Sequence, residues 1–342
     1  MTVLHAHSPP GNVADCLWSE LLADDRPRYS AVLEEALSPQ REYLTDTEYA
    51  IYRQGKLLRP AVLFLAARMA HGPESLPKKV IQGAVSLEML HVATLIHDDV
   101  VDGSALRRGR PSVNAARGGG TAVIVGDLQF VQAIRGFVEA IDRDSDMDLV
   151  KMVLDTAFEI CCGELDELRV EWSLGTRELV GHYWRTVDRK TAVLFGLAAE
   201  SGVRLAGGRL GDARRAGFYG RALGRAFQVM DDLFDLARDE RASGKPRGID
   251  LVRGRATLPL IYAREDLGPG HRVSRLLRGD TATPDDVERA IDEVRATPGY
   301  ARAYAEAREQ ALNALEYLRP FPPNRYRFAL EDLALQVVDR AP

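Results

Sequence analysis

The amino-acid sequence predicts an all-α fold. Long segments carry apolar residues at three- and four-residue spacing, which is the pattern of amphipathic helices. Alternating β-branched runs bounded by hairpin turns are almost absent, so few strands are expected. With 342 residues, 46% of them hydrophobic, the chain has enough apolar material for one large helical core. We predict a single all-α domain over residues 26–342, preceded by a loose N-terminal arm over residues 1–25.

The helices of this domain can be placed along the chain from their apolar patterns. Residues 80–102 and 120–141 are apolar on nearly every face, so these two helices are predicted to be central and buried. Further helices are predicted over residues 147–171, 176–201, 209–238, 256–264, 283–295, 299–318 and 325–338. Segments 107–120 and 241–254 are predicted loops, and the second is rich enough in Gly, Lys and Arg to close over an anionic ligand.

Composition excludes several classes of protein. The net charge of −5 and the lack of a long Lys/Arg run argue against nucleic acid as a partner. Cys16, Cys161 and Cys162 form neither a disulfide framework nor a metal-binding pattern, which fits a reducing compartment. The N-terminus lacks the pattern of a signal peptide, and no stretch reaches the roughly 18 uninterrupted apolar residues of a membrane span. We therefore expect a soluble, cytoplasmic protein with no transmembrane segment.

Two clusters of aspartates are the most informative feature of the sequence. Asp98 and Asp102 are four residues apart and share one helix face, with Asp99 beside them. The same spacing recurs in another apolar helix, at Asp231, Asp232 and Asp235. One such cluster is more simply explained as a solvated helix face. Two clusters on apolar helices favour divalent cations, and Mg²⁺ is typically held by one or two carboxylates together with substrate phosphates.

Basic residues accompany the acidic ones. Lys56 and Arg59 lie three residues apart, and further cations stand at Arg107, Arg108, Lys190 and Lys245. Arginine binds phosphate through two parallel hydrogen bonds, whereas lysine acts as a point charge. Any one of these residues alone would be an ordinary surface cation. Together with two acidic clusters, they predict a site that binds diphosphate.

Five motifs in a fixed order resemble those of the trans-isoprenyl diphosphate synthases, the polyprenyl synthetase family. They are GKLLRP (55–60), HDDVVDGSALRRGRP (97–111), KTA (190–192), FQVMDDLFD (227–235) and GKPRGIDLVRGRATLP (244–259). The resemblance implies an isoprenoid synthase-like helical bundle around a deep central cavity, usually as a homodimer. It also implies head-to-tail condensation of isopentenyl diphosphate with an allylic prenyl diphosphate, assisted by Mg²⁺.

The same resemblance implies a role for each motif residue. The main metal ligands would be Asp98, Asp102 and Asp231, and the acidic walls would be completed by Asp99, Asp232 and Asp235. Contacts to the allylic diphosphate would come from Arg107, Lys190 and Lys245. The isopentenyl diphosphate site would consist of Lys56, Arg59, His91 and Arg108, although His91 alone would be interpreted as a packed core histidine. Positive charge would develop beside Thr191 and Gln228.

The residue types fit the chemistry that the resemblance implies. Ionisation of the allylic C–O bond leaves diphosphate and a carbocation, so cations must stabilise the departing charge while an apolar cavity excludes water. This chain departs from the family at three positions. Leu57 stands in a motif that is usually of the GKRLRP type, Glu167 stands where Gln is common, and Arg255 stands where Lys is frequent.

Product length is predicted from the residues that precede Asp98 on its helix. Side chains one or two turns before the aspartates are expected to floor the cavity, and here they are Ala93, Thr94, Leu90, Met89 and Ser86. Because bulk cannot be displaced from a packed interior, an aromatic residue at 93 or 94 would stop chain growth early. Both residues are small, which favours geranylgeranyl or longer products. A deeper floor could be formed by Leu90 and Met89, or by Phe130 and Phe137.

Three alternatives remain open at this point. A class I terpene cyclase also uses paired acidic motifs and Mg²⁺, but it has no use for an isopentenyl diphosphate site. A short-chain farnesyl synthase would share every motif and differ only in the cavity floor. A non-catalytic synthase subunit would be expected to lose one acidic cluster, and both clusters are intact here.

Overall fold

Helices make up nearly all of the regular structure. The computed structural model describes residues 13–53, 55–107, 109–141, 147–237 and 247–339, and in these ranges the predicted all-α class is confirmed. The sheet found in them is a two-stranded antiparallel hairpin of β1, Leu106–Arg107, and β2, Arg110–Pro111. This hairpin lies at the start of a segment predicted to be a loop, and it is too short to give an alternating pattern.

The predicted long helices are present, with ends within a few residues of those expected. In chain order the α-helices are α1 Val13–Cys16, α2 Arg26–Leu37, α3 Asp46–Arg53, α4 Leu58–His71, α5 Lys78–Val101, α6 Val113–Arg117, α7 Gly119–Glu139, α8 Met147–Glu167, α9 Thr176–Val187, α10 Val193–Leu205, α11 Leu210–Ala237, α12 Ile249–Val252, α13 Leu258–Leu267, α14 Arg272–Leu276, α15 Pro284–Arg295, α16 Pro298–Leu318 and α17 Arg325–Asp339. Leu17–Leu21 and Asp188–Ala192 are π-helical turns, and Ser38–Gln40 is a 3₁₀ turn. The helices that the sequence analysis did not place are α1 to α4, α6, α12 and α14. Of these, α1, α6, α12 and α14 have only four or five residues and are too short to show a period.

The helices form two compact units, each built from separate stretches of chain. The first contains residues 1–157, 194–220 and 318–332, and the second contains residues 158–193, 221–317 and 333–342. The single domain expected over residues 26–342 stays a prediction.

Helix α5 is the central helix of the first unit. Its residues from Gly83 to Leu90 are all buried. From there to its C-terminal end a half-exposed stripe opens on one face, and this stripe consists of His91, Thr94, Leu95, Asp98 and Asp102. These positions follow the three- and four-residue spacing of one helix face. A buried helix therefore presents a single strip of polar and apolar side chains that ends in the first acidic cluster.

A different face of α5 packs against α7. A Cβ added to Gly126 of α7 would collide with His97, and one added to Gly136 would collide with Ser86. Ser86 and His97 therefore mark the α5 face that packs on α7. Leu90 and Ala93 fall at the intervening positions of the same face and are fully buried. Glycines at the contact let the two helices approach more closely than side chains would allow.

Of the predicted loose arm over residues 1–25, the structure describes residues 13–25, and the arm as a whole stays a prediction. Leu17 and Trp18 are buried, and the Trp18 ring packs against Tyr29 and Phe64 with centroid separations of 5.6 and 5.4 Å. The arm was expected because its early Pro and Gly residues suggest a loop, but residues 1–12 lie outside the described part of the chain. Through Trp18, the aromatic cluster fixes residues 13–25 to the rest of the first unit.

In the second unit, hydrogen bonds to backbone carbonyls join residues that are far apart in the sequence. Trp172 Nε1 donates to the carbonyl of Gly254 at 2.8 Å, and Arg264 Nη2 donates to the carbonyl of Trp172 at 2.8 Å. At Gly254, φ is +64°, a conformation that favours glycine. These contacts fix the backbone of the fifth sequence motif just before Arg255.

Two helices are long and apolar enough to cross a membrane by length and composition. For α5, 72% of the most apolar window is buried inside the structure, as in the core helix of a soluble protein. For α7 the corresponding figure is 33%, because one side of that helix is covered and the other is not. The absence of a transmembrane segment therefore stays a prediction.

Candidate active site

The first acidic cluster divides its carboxylates between the interior and the half-exposed stripe of α5. Asp99 is 3% exposed, whereas Asp98 and Asp102 are partly exposed. Arg107 binds Asp99 through two groups, with Nη2 to Oδ1 at 2.6 Å and Nε to Oδ2 at 3.1 Å. Burial raises the pKa of the Asp99 carboxyl, and the Arg107 guanidinium lowers it without cancelling that effect. Asp98 and Asp102 are thus the two carboxylates that a ligand on the stripe can reach.

A tight turn after α5 brings Arg107 back to the helix that precedes it. Gly103 has φ of +59°, and the Ser104 amide donates to the carbonyl of Asp99 at 3.0 Å. Ser112 then closes the hairpin, since its Oγ donates to the carbonyl of Ser104 at 2.6 Å. Arg107 was predicted to contact an allylic diphosphate, and in this structure it pairs with Asp99. Arg108 lies outside the described residues.

Two of the residues expected to bind isopentenyl diphosphate lie in contact. Arg59 Nη1 donates to His91 Nε2 at 2.9 Å, so that ring nitrogen is the unprotonated acceptor. The Arg59 guanidinium also stacks over the Phe195 ring, 4.6 Å from its centroid. Lys56 is exposed on the turn just before α4. Arg59 is in the first turn of α4, where helix amide groups favour an anion.

The second acidic cluster is more deeply buried than the first. Asp232 is 5% exposed and accepts hydrogen bonds from Tyr183 Oη at 2.6 Å and Gln228 Nε2 at 2.9 Å. Burial raises the pKa of Asp232 well above the usual carboxyl range, and the Asp250 carboxylate raises it further. Asp231, one residue earlier, is exposed. As in the first cluster, one carboxylate is held by the protein and a neighbour faces outward.

Asp235 is tied to Asp250, a carboxylate to which the sequence alone gave no role. The Asp250 amide donates to Asp235 Oδ2 at 3.1 Å, and the Gly248 amide donates to the carbonyl of Asp235 at 2.9 Å. Burial and the Asp235 carboxylate raise the pKa of Asp250 to about 7, although Arg255 lies 3.3 Å away and opposes the shift. The one feature of the sequence that pointed to Asp250 was its place in the motif GIDLV. No sequence feature pointed to Tyr183, because its partner Asp232 is 49 residues away in the chain.

Thr191 and Gln228, both predicted to lie beside the developing positive charge, are hydrogen-bonded to each other. Thr191 Oγ1 donates to Gln228 Oε1 at 2.7 Å, and Gln228 passes the connection on to Asp232. Thr191 belongs to the π-helical turn Asp188–Ala192, and such turns occur frequently at functional sites. The turn joins α9 to α10 and carries Lys190 beside Thr191.

Lys190 is held between two carboxylates. Its Nζ donates to Glu164 Oε2 and to Glu167 Oε2, both at 2.8 Å. Arg255 lies 3.8 Å from Glu167, so two departures from the family, Glu167 and Arg255, contact each other. Lys245, the other lysine predicted to bind diphosphate, lies outside the described residues. A diphosphate at Lys190 must therefore compete with two half-buried carboxylates.

The proposed chain-length residues fall on different faces of α5. Thr94 is on the half-exposed stripe, one turn before Asp98, and its Oγ1 donates to the carbonyl of His91 at 2.7 Å. Ala93 and Leu90 are on the face that packs on α7, while Met89 is buried beside them. Of the possible deeper floor residues, Phe137 is fully buried and Phe130 is half-buried. Thr94 is thus the position that shares a face with the reactive groups.

The carboxylates of this structure suit a divalent cation that is completed by its substrate. Among the described residues, no group of three or more acidic, histidine or cysteine side chains is arranged to hold a metal ion by itself. Asp98 and Asp102 are half-exposed. The pKa values of the buried Asp232 and the partly covered Asp250 are raised, because desolvation and neighbouring carboxylates outweigh the groups that lower them. Mg²⁺ bound through few carboxylates and phosphate oxygens fits such a donor set.

Comparison with known proteins decides the family. The family model described as polyprenyl synthetase matches residues 40–294. The chain belongs to the polyprenyl synthetase family. This membership confirms the predicted family and the prenyltransferase class.

Individual members of the polyprenyl synthetase family match nearly the whole chain. Component 2 of heptaprenyl diphosphate synthase from Geobacillus stearothermophilus is 32% identical, over 93% of this chain and 97% of that protein. Nonaprenyl diphosphate synthase from Mycobacterium tuberculosis is 32% identical, over 94% of this chain and 95% of that protein. A polyprenyl synthase from Caulobacter crescentus, solved with calcium and isoprenyl diphosphate, superposes with a TM-score of 0.84 at 30% identity, over 98% of this chain and 99% of that one.

Asp250 gives this polyprenyl synthetase a pH-dependent stability that can be measured without substrate. Because the pKa of Asp250 is raised from 3.8 to about 7, its protonated form favours the folded state. This contribution is complete below pH 3.8 and is lost as the pH rises through about 7. Asp250→Asn should therefore increase the free energy of unfolding at pH 8 by about 1–2 kcal/mol, less than the full shift because the side chain is partly solvated.

The measurement is denaturant unfolding in EDTA at pH 5 and pH 8. The advantage of Asp250→Asn over the wild type should be larger at pH 8 than at pH 5. Asp280→Asn, an exposed change in the same unit, should show no such difference. An equal effect of Asp250→Asn at both pH values would contradict the prediction.

Proposed function

We propose that the chain is an all-trans polyprenyl diphosphate synthase that makes geranylgeranyl diphosphate or longer products. It condenses isopentenyl diphosphate with an allylic prenyl diphosphate. The observation that carries the proposal is the half-exposed stripe of α5, which has His91 and its partner Arg59 at one end and Asp98 and Asp102 at the other. Seven residues separate His91 from Asp98, which is roughly 10 Å along a helix. Two anionic groups can bind at this spacing, with Thr94 and Leu95 between them.

The two ends of the stripe suit two different substrates. Arg59 is positively charged, has a planar donor group and stands in the first turn of α4, so it suits a diphosphate bound without metal. Asp98 and Asp102 are negatively charged and require a cation between themselves and any phosphate. We assign isopentenyl diphosphate to the first end and the allylic diphosphate to the second.

A divalent metal ion is part of this proposal, and we infer that it is Mg²⁺. The related polyprenyl synthase from Caulobacter crescentus was solved with calcium and isoprenyl diphosphate, which supports divalent metal use in the family. By the family resemblance, the metal ligands of the first unit would be Asp98 and Asp102, with Asp99 in support. The metal ligand of the second unit would be Asp231, with Asp232 and Asp235 in support. When bound, Mg²⁺ would act as a Lewis acid and neutralise charge on the leaving diphosphate.

The chain's own residues perform the remaining tasks. In the second unit, Lys190 binds phosphate oxygens when the more highly charged diphosphate displaces the carboxylates that now hold it. In the first unit, Arg107 would do the same in place of its contact with Asp99. The Thr191 hydroxyl is oriented by its hydrogen bond to Gln228, and its remaining lone pairs can face a nearby carbocation. Leu95 and the buried α5 residues before it exclude water from the growing tail.

The test of this function is elongation by the purified chain alone. The protein is incubated with Mg²⁺, labelled isopentenyl diphosphate and geranyl, farnesyl or geranylgeranyl diphosphate, and the dephosphorylated prenols are sized by chromatography. Linear prenols longer than the primer are expected. A cyclic hydrocarbon made from one allylic substrate would instead indicate a terpene cyclase. No product would contradict activity of the chain by itself and would favour a partner subunit, as the name component 2 of the Geobacillus relative suggests.

Product length should depend on Thr94 more than on Ala93. Thr94→Phe places an aromatic ring on the same face as Asp98, so the longest product should become shorter by one or more isoprene units. Ala93→Phe would instead overpack the α5–α7 contact, at a typical cost of about 1–3 kcal/mol of stability. Thr94→Val keeps the size of the side chain and is the matched control. Chromatography that shows the same longest product for Thr94→Phe, Thr94→Val and the wild type would contradict the assignment.

We further propose that the protein is a homodimer that works in the cytoplasm. Exposed apolar residues recur along α8 at alternating spacings of three and four, at Leu154, Phe158, Cys161 and Leu165, and Ile124, Val131 and Val138 recur on α7 at spacings of seven. Such seams are typical of helices that pack on partner helices. A second copy offers the same seams, so a symmetric interface can cover them. The three cysteines are free thiols, as suits a reducing compartment.

The dimer can be tested by placing a charge in the α8 seam. Phe158 is 67% exposed, and Phe158→Glu would bury a carboxylate against its symmetry mate in a dimer. Light scattering after gel filtration should give twice the 37.8 kDa chain mass for the wild type and the single mass for Phe158→Glu. Phe218→Glu, at an exposed phenylalanine of α11, should remain dimeric. A monomeric wild type, or one that floats with lipid vesicles, would contradict the proposal.

A further inference from the structure

Trp18 connects the N-terminal segment to the turn that begins α4. Its indole Nε1 donates to the carbonyl oxygen of Leu57 at 3.1 Å. The ring is 2% exposed and is fixed by Tyr29 and Phe64, with Phe64 standing edge-on to it. The donor therefore has a defined position that does not depend on Leu57.

Leu57 has an unusual backbone conformation. Its φ is +48° and its ψ is +33°, and among the described residues it is the one position other than glycine with positive φ. A left-handed conformation is disfavoured for an ordinary L-residue, because it brings Cβ too close to the following carbonyl oxygen. The Leu57 carbonyl also accepts the first hydrogen bond of α4, from the Ala61 amide at 3.0 Å. Two donors thus fix one carbonyl, and they stabilise a conformation that the residue itself disfavours.

The strained residue lies inside the motif that carries two proposed substrate ligands. Lys56 immediately precedes Leu57, and Arg59 follows it by two residues in the first turn of α4. The path of the backbone through Leu57 determines where Lys56 leaves the turn and how Arg59 reaches His91 at 2.9 Å. Backbone strain of this kind persists only where the surroundings enforce it, and it occurs preferentially at functional sites.

We propose that Trp18 is a positioning residue for the isopentenyl diphosphate site. Its hydrogen bond stabilises the left-handed Leu57 and thereby sets the geometry of Lys56 and Arg59, although Trp18 itself touches no substrate. This inference rests on the proposed function, which assigns Lys56, Arg59 and His91 to isopentenyl diphosphate. It gives the N-terminal segment a part in substrate binding.

The test is Trp18→Phe, which keeps an aromatic ring and removes the N–H donor. Loss of one hydrogen bond should raise KM for isopentenyl diphosphate about fivefold. KM for the allylic substrate and kcat should change less than about twofold, since neither depends on the α4 turn. Adding Leu57→Gly should restore KM for isopentenyl diphosphate, because glycine reaches positive φ without strain. Thermal denaturation should show that each variant is folded.

Trp172→Phe is the matched control. It removes an equivalent indole hydrogen bond, to the carbonyl of Gly254, and should leave KM for isopentenyl diphosphate unchanged. Equal changes in both KM values for Trp18→Phe, or failure of Leu57→Gly to restore binding, would overturn the positioning role. A wild type that elongates while Trp18→Phe behaves identically would overturn this inference alone. A wild type that elongates no primer would overturn the proposed function, and the inference with it.

Discussion

The burial of carboxylates on apolar helices is the constraint on which the rest of the structure depends. A buried carboxylate without hydrogen bonds or an opposite charge costs several kcal/mol, so each one requires a partner that the fold must supply. Asp99 requires the hairpin that returns Arg107 to α5, and Asp232 requires Tyr183 from α9 and Gln228 from one turn earlier in α11. Asp235 is reached by the amide of Asp250. The conformations of the loops around both clusters therefore depend on the hydrogen bonds to these carboxylates as much as on the loop sequences.

Each cluster combines a buried carboxylate with more exposed ones. In α5 Asp99 is buried while Asp98 and Asp102 are half-exposed on the stripe, and in α11 Asp232 is buried while Asp231 is exposed. The hydrogen bonds of Asp99 and Asp232 fix the position of each helix, and this position determines where the neighbouring carboxylates lie. Cations follow a similar rule, because Lys190 is kept in place by Glu164 and Glu167 before any anion arrives. Lys190 must exchange these ion pairs for phosphate contacts before it can bind a leaving group.

Most of the helices could be predicted because their period is a local property of the chain. The motif residues could be predicted because their order matches a known family. Tyr183, Asp250 and Trp18 could not, since each acts through a contact to a residue far away in the sequence. The placement of Thr94 and Ala93 on different faces of α5 could be predicted only in part. Counting turns back from Asp98 places Thr94 on its face, but only the contacts of Ser86 and His97 with α7 show what the other face does.

The glycines of α7 also have an evolutionary consequence. Because Gly126 and Gly136 bring the α7 backbone against the side chains of His97 and Ser86, a shift of α5 as a rigid rod would disturb both contacts. Such a shift is therefore a costly way for descendants of this protein to acquire a different product. They can do so by exchanging single side chains on its open strip, where most substitutions leave the packing intact. A fixed helix with one replaceable surface allows product length to diverge through few mutations while the fold is retained.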